Sequence, residues 1–286
     1  MIAVIGGTGR LGRLVSARLV DVGQQVRVVA RSAPKVPIAG TQFVAADLRV
    51  PATLSAAVDG VDGVVAAAHG MDPDEGESPA QVDRDGNAAL IDAAANRGVG
   101  VVLVSVVDAA SDHPLELHRM KWAAEQHLRA SGAPWTIVRA SAFAEMWIEM
   151  MEQSVKGGKG PLVFGDGDNP VNFVSVLDVT EAVTRAATDR SLRGHIIDVG
   201  GPDDLTMNEL AGLVRPGVAP RHLRRVVLHV MGQVARPVRP SLARLARMSL
   251  SMDRADLIFD TKASRSTYPW LPCTSVRDLA AGSTQG

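Results

Sequence analysis

The stretch MIAVIGGTGRLG, Met1 to Gly12, decides the fold. It opens on an apolar run, Ile2 to Ile5, of the kind that forms a buried parallel strand. The run breaks at once into Gly6-Gly7-Thr8-Gly9-Arg10-Leu11-Gly12, and a helical pattern follows. Glycines at such a point let the backbone turn sharply and approach a pyrophosphate with no Cβ in the way. They also expose a helix N-terminus, whose N–H groups and dipole favour an anion. The run satisfies G-x-G-x-x-G from Gly7 and G-x-x-G-x-x-G from Gly6. A tight turn is the plainer reading of any glycine cluster, but the position between a strand and a helix points to a dinucleotide.

Working outward, Leu14, Val15, Ala17, Leu19 and Val20 predict a helix from Leu11 to about Val22, with Gly23 where a helix-ending glycine belongs. Val26 to Ala30 reads as a second buried strand, ending in Arg31-Ser32 with Lys35 close behind. About 20 residues past such glycines, a carboxylate would bond the ribose 2′-OH of NAD, whereas arginine accommodates the 2′-phosphate of NADP. Arg31 stands there, and it favours NADP.

Further strands are expected over Gln42 to Ala46, Val61 to Ala68, Val101 to Val107 and from Trp135. Helices are expected over Thr53 to Val58, Val82 to Arg97 and Leu115 to Ser131. Met71 to Pro79 reads as a mobile acidic loop. This alternation is the mark of an α/β fold with a Rossmann doubly wound parallel sheet, in which ligands sit at the carboxyl ends of the strands. Gly6, Arg31, Asp47, His69, Ser105 and Arg139 all fall at such ends and argue for one cleft.

Beyond Arg139 the character shifts toward Met, Phe and Trp. The expected division is a dinucleotide-binding domain over 1–145, also using about 171–200, and a smaller, mostly helical C-terminal substrate-side subdomain over 146–170 and 201–286. Asn172 to Val176 and His195 to Val199 read as strands flanking a helix from Asp178 to Thr188, and Thr206-x-x-Glu209 as a capping box. Arg221 to Met252 contains no acidic residue and reads as an amphipathic helix pair. Its arginines, over 221–247, either form a solvated face or offer a surface to an acidic protein partner or an anionic membrane. Ala281 to Gly286 reads as a frayed tail.

Composition sets the bounds. The 286 residues are 46% hydrophobic but 3% aromatic, so Ala, Val and Leu must fill the core. A net charge of −1 gives no global bias toward nucleic acid. Cys273, the single cysteine, excludes an internal disulfide and a thiolate metal cluster and suits a reducing cytoplasm. The apolar runs are too short to span a bilayer, and the first strand starts too early for a cleaved signal. A soluble cytoplasmic protein is expected, with monomer and homodimer both open. There is no G-x-S-x-G elbow and no cluster with metal-ligand spacing.

Several stretches together resemble the atypical and extended short-chain dehydrogenase/reductases. They are VIGGTGRLG, the strand end Arg31, Asp47-Leu48, Lys121-x-x-x-Glu125-x-x-Leu128-x-x-Ser131-Gly132, Trp135 to Arg139, and Asn172-Phe173-Val174-x-x-x-Asp178-Val179. The nearest branch is the NmrA-like group, which holds NADP-dependent reductases and some non-catalytic redox-sensing regulators. The resemblance covers roughly residues 1 to 212 and is specific in the first 140. It implies that the glycine loop (Gly6, Gly7, Thr8, Gly9, Arg10, Leu11, Gly12) cradles the cofactor, with the amides of Gly9 to Leu11 on the pyrophosphate. Arg31 and Ser32 would take the 2′-phosphate, with Arg10 as helper. Asp47 and Leu48 would border the adenine, and Ala67, Ala68 and His69 would line the path to the nicotinamide. Ser105 would match the family's fifth-strand serine, and Lys121 the lysine on the nicotinamide ribose. Ala140 replaces a proline usual after the arginine.

One departure matters for chemistry. The family's tyrosine acid belongs four residues before Lys121, where this chain has Leu117, and its only tyrosine is Tyr268. Leucine donates no proton. The remaining acid candidates are Lys121 itself and His69, with His118 about 100° round the helix from Leu117. Ser105 either orients a carbonyl or is a buried structural hydroxyl. Three functions stay open. The first is an NADPH-dependent reductase of a small, fairly apolar carbonyl or enone, walled by Phe143, Met146, Trp147, Met150 and Met151 unless these are plain core. The second is a non-catalytic NADP-sensing protein, which needs no acid. The third is a non-redox isomerase or lyase.

Overall fold

The computed structural model describes residues 1–71, 77–155, 158–235 and 240–283. Most of the acidic loop (72–76) and the end of the expected tail (284–286) lie outside the described residues, as do 236–239 of the arginine-rich segment. Two packing units divide the chain. The first holds 1–71, 77–140 and 179–199; the second holds the remaining described residues from 141 onward.

Strand β1 (Ile2–Ile5) is buried at every position and runs into the glycine turn and α1 (Arg10–Asp21). Then come β2 (Val26–Ala30), β3 (Thr41–Ala45), α2 (Leu54–Val58), β4 (Gly63–Ala66), α3 (Asn87–Ala95), β5 (Gly100–Val106), α4 (Glu116–Ala130) and β6 (Trp135–Ala140). After β7 (Ala142–Phe143), α5 (Ala144–Ser154), β8 (Leu162–Phe164), β9 (Pro170–Val174) and α6 (Val176–Thr188), the chain returns through β10 (Ile196–Val199). It ends with β11 (Asp203–Thr206), α7 (Met207–Val214), β12 (Arg221–Leu223), α8 (Arg225–Val234), α9 (Pro240–Met252), α10 (Thr261–Thr267) and α11 (Val276–Ser283).

In the first unit, seven parallel strands form one sheet in the order β10-β6-β5-β4-β1-β2-β3. The expected doubly wound sheet is therefore present. Strand order reverses between β1 and β4, the point at which an open α/β sheet leaves a crevice at its carboxyl ends. With few aromatics available, the core is aliphatic: Ala3, Ile5, Leu54, Val64, Leu90, Leu103, Leu128 and Ile137 pack in one cluster. α1 contributes Leu11, Val15 and Leu19 and stops at Gly23, whose φ of +81° lets its N–H reach Val20 O at 2.9 Å.

The expected helix from Val82 differs in a telling way. It starts as a π-helical turn, Ala80–Gly86, before α3. Such turns carry one more residue than an α-turn and redirect a side chain. Here the redirected residue is Asp83, buried completely.

The second unit carries short strands beside its helices. β11, β9 and β7 form one small sheet, and β12 pairs with β8 in another. Its core gathers Trp147, Ile148 and Met151 with Phe173, Leu205, Leu210 and Val276. Trp147 and Met151 are core residues of this unit, whereas Met146 is 48% exposed. Trp147, Met150 and Met151 do border a cavity with Met207 and Met252, but its volume of about 30 Å³ suits water and not a substrate. The arginine-rich segment does form the helix pair α8 and α9. Within it, Arg225 Nε pairs with Asp253, and Arg221 donates to Gly160 O and Ser154 O.

The capping box forms as read. Glu209 N–H donates to Thr206 Oγ1 at 3.1 Å, and Thr206 N–H to Glu209 Oε2 at 2.8 Å. Replacing Thr206 by alanine is expected to cost about 1 kcal/mol in urea unfolding, with no effect on cofactor affinity.

Candidate functional site

The glycine loop follows β1 directly. Gly6 takes φ +76°, and a Cβ there would lie 2.8 Å from Ala68 Cα. Gly6 and Gly7 N–H groups donate to Val29 O at 3.0 and 3.1 Å, fastening the loop to β2. A Cβ on Gly12 would stand 2.2 Å from Gly6 O, so only glycine lets α1 begin this close to the loop. Gly9 caps α1 with no side chain, and the bond from Arg13 N–H to Gly9 O at 2.9 Å opens the helical ladder. The N–H groups of Arg10, Leu11 and Gly12 therefore precede any intrahelical acceptor. The first turn carries no acidic residue. The N–H groups and the helix dipole at this point suit an anion. Ala67 N–H bonds Ile5 O at 3.0 Å, which brings the end of β4 against the same loop.

At the end of β2, Arg31 is exposed but engaged, because its guanidinium donates to the carboxylate of Glu77. Glu77 is buried, and Arg49 Nη1 lies 3.6 Å from the same carboxylate oxygen. Arg49 also grips Asp47, through Nε at 3.0 Å and Nη2 at 2.6 Å. That hydrogen bonding holds the Asp47 carboxyl below the usual carboxylate range, with Arg31 adding a smaller pull. Arg31, Asp47, Arg49 and Glu77 thus form one cluster. The sequence named the first two and missed Arg49 and Glu77, which no local pattern marks. Ser32 and Lys35 are exposed. Leu48 is buried under the π-helical turn, where a Cβ on Gly86 would come within 2.7 Å of its own Cβ.

Lys121 lies on α4, one turn after Leu117, with its ammonium buried. Nζ sits 3.0 Å from Asp83 Oδ1, donates to Val104 O at 2.8 Å and reaches Ala68 O at 3.5 Å. Asp83 Oδ2 in turn accepts Gly70 N–H at 2.8 Å, and Asp83 O accepts Asn87 Nδ2 at 2.9 Å. The lysine is therefore a fixed cation whose three N–H bonds all have oxygen neighbours. Asp83 and Asn87 were not singled out from sequence, because Gln81, Arg84 and Asp85 beside them make this turn look like an exposed face.

Ser105 Oγ donates to Glu125, which also accepts from Arg139 Nε at 2.9 Å. Glu125 is wholly buried, and its hydrogen bonds raise the Arg139 guanidinium further above neutrality. Burial also pushes the nearby Asp198 carboxyl up. The Ser105 hydroxyl is bonded to a side chain and not to backbone. His69 is exposed at the end of β4, with Met71 N–H 3.3 Å from its Nδ1. His118 stacks on His113 at 4.0 Å, and burial, reinforced by His113, pushes it down to about 3. It is neutral at ordinary pH and supplies no imidazolium proton. Among the described residues no cluster could hold a metal, and no helix is long and apolar enough to cross a membrane.

A doubly wound sheet with an anion cradle after β1 and a fixed lysine beside β4 and β5 is the arrangement of an NAD(P)-binding Rossmann protein. The family model described as NAD(P)H-binding matches residues 6–190, and the chain belongs to that family, in its NmrA-like, atypical short-chain dehydrogenase/reductase branch. The NAD(P)H azoreductase of Xenophilus azovorans is 30% identical over 232 residues, 80% of this chain and 77% of its own. The NADPH-dependent quinone oxidoreductase of Escherichia coli, solved with NADPH, has TM-score 0.77 at 21% identity and covers 99% of both chains. Citrobacter sp. triphenylmethane reductase, solved with NADP(H), has TM-score 0.74 at 18% identity, covering 98% of this chain and 99% of its own. At those identities the two structures establish the fold alone.

Proposed function

We propose that the chain is an NADPH-dependent reductase of small, fairly apolar conjugated acceptors, enones and quinone-like carbonyls foremost. The observation that carries this reading is Leu117 one turn before Lys121: the cation is present and the phenol acid is absent. A simple ketone reduced by hydride becomes a strongly basic alkoxide and needs a positioned acid. A quinone becomes a phenolate, whose conjugate acid has a pKa near that of tyrosine, about 10, so solvent protonates it without help. The names of the azo- and quinone-reducing relatives agree with acceptors of this kind.

The cradle fits the cofactor on two observations: glycines at Gly6 and Gly12 let the loop close against Ala68 and the start of α1, and the first turn of α1 offers N–H groups and carries no acidic residue. Bound there, the reduced nicotinamide supplies a hydride. The chain's own residues do the rest. The amides of Arg10 and Leu11 hold the pyrophosphate, the expected Gly9 amide being spent on Gly6 O at 3.0 Å; Arg31 with Ser32 holds the 2′-phosphate, and Asp47 and Leu48 border the adenine. Lys121, held by Asp83 and Val104 O, would exchange its long 3.5 Å contact to Ala68 O for a ribose hydroxyl, and it keeps a positive charge where negative charge develops on substrate. His69, exposed at the end of β4, would pass a proton from solvent.

A second reading, a cofactor sensor, is favoured by the same Leu117, since binding alone needs no acid. The two part on turnover: the reductase oxidises NADPH in the presence of an enone or quinone, the sensor does not. Cofactor preference has its own test. Arg31→Ala is expected to weaken NADPH by about 10- to 100-fold, the worth of a charge-assisted hydrogen bond. NADH should change little. Equal losses for both cofactors would remove Arg31 from the 2′-phosphate.

A further inference from the structure

Glu77 stands where the reading above puts a phosphate. Its carboxylate is buried, bonds the Arg31 guanidinium and lies 3.6 Å from Arg49 Nη1. Its place is set by the backbone around it. A Cβ on Gly70 would fall 2.4 Å from Ser78 O, so the two chain segments touch, and Gly70 N–H is tied to Asp83. Among the described residues, the ion pairs of this cluster join two arginines, Arg31 and Arg49, to two carboxylates, Asp47 and Glu77. A 2′-phosphate entering it meets a carboxylate already holding its arginine. A 2′-hydroxyl entering it meets an acceptor ready to take its proton.

We propose that Glu77 sets cofactor specificity as an internal competitor for the 2′-phosphate. A ribose with a free 2′-hydroxyl binds with Glu77 in place and donates to it, whereas a 2′-phosphate must displace the carboxylate from Arg31 before it can bind. Glu77 thus moderates the preference that Arg31 confers and opens the same site to NADH. This rests on the reading that the adenosine ribose lies beside Arg31.

The test uses the adenosine halves of the two cofactors, 2′,5′-ADP and 5′-AMP, titrated calorimetrically into the full chain. In Glu77→Gln the charge goes while a hydrogen-bonding group of the same shape remains. Affinity for 2′,5′-ADP should rise about tenfold, because a like charge within ion-pair reach of the phosphate is removed. Affinity for 5′-AMP should stay within about twofold, since glutamine still accepts from the hydroxyl. Glu77→Asp, which withdraws the charge by one methylene, should shift the ratio the same way by a few-fold and serves if the glutamine variant misfolds. An unchanged or lowered ratio of 2′,5′-ADP to 5′-AMP affinity in these variants would overturn the proposal. Arg31→Ala, run alongside, separates the two failures. If it weakens 2′,5′-ADP selectively while the Glu77 variants do nothing, only the role of Glu77 falls. If it weakens both ligands alike, the placement of the ribose falls with it.

Discussion

Lys121→Met is expected to destabilise the chain by about 3–5 kcal/mol, because it leaves the Asp83 carboxylate buried without its cation. The pair is an unusual one. Asp83 is completely buried and Lys121 nearly so, at 4% exposure, and the ammonium also satisfies Val104 O and Ala68 O. Removing one partner strands a charge; removing both does not. The double variant Lys121→Met/Asp83→Asn should therefore recover most of the loss in urea unfolding, while either single change remains costly. A single variant that unfolds like the wild type would show that the pair is not the buried couple described. Turnover discriminates further. The double variant folds but has no fixed cation, so it should bind cofactor more weakly and lose activity with every acceptor. Activity retained in it would take Lys121 out of the chemistry.

The second large effect is at Gly12. An alanine Cβ would stand 2.2 Å from Gly6 O and 2.8 Å from Gly7 Cα, both backbone, with no flexible neighbour to yield. Either α1 retreats from the loop or the loop shifts, and in both cases the amides of Arg10 and Leu11 lose their common aim. Losing two charge-assisted bonds to a pyrophosphate amounts to about 3 kcal/mol or more, over a hundredfold in cofactor affinity. NADPH and NADH should suffer alike, because the pyrophosphate is common to both. That parallel loss distinguishes Gly12→Ala from Arg31→Ala. A Gly12→Ala protein of unchanged affinity would mean that the cofactor lies elsewhere.

The contrast between these sites explains what could be read from sequence. The first unit was legible because its signals are local and repeat: an apolar run, the glycine turn at Gly6 to Gly12, then a helix with Leu11, Val15 and Leu19 inside. Arg31 was legible because its place is counted from the glycines. Its partner was not, since Glu77 is 46 residues away and sits in an acidic stretch that reads as solvated loop. Asp83 was hidden for a similar reason. The run Asp83-Arg84-Asp85 looks like an exposed face, and only the π-helical turn puts the first of these inside and the other two out. In the second unit, β8, β11 and β12 are three or four residues long, too short to show alternation. A Met-rich helix such as α5 is more often core than substrate wall, and Trp147 and Met151 do pack in one core with Phe173 and Leu210.

The most direct measurement is NADPH oxidation by the full chain against a panel of enones and quinones, followed by loss of reduced-nicotinamide absorbance. NADH would be run in parallel, with Gly12→Ala as the binding-deficient control. The expected result is turnover with at least one conjugated acceptor, faster with NADPH than with NADH at low cofactor and abolished in Gly12→Ala. Tight NADPH binding with no turnover across the panel would contradict a reductase and leave a cofactor-sensing protein in its place.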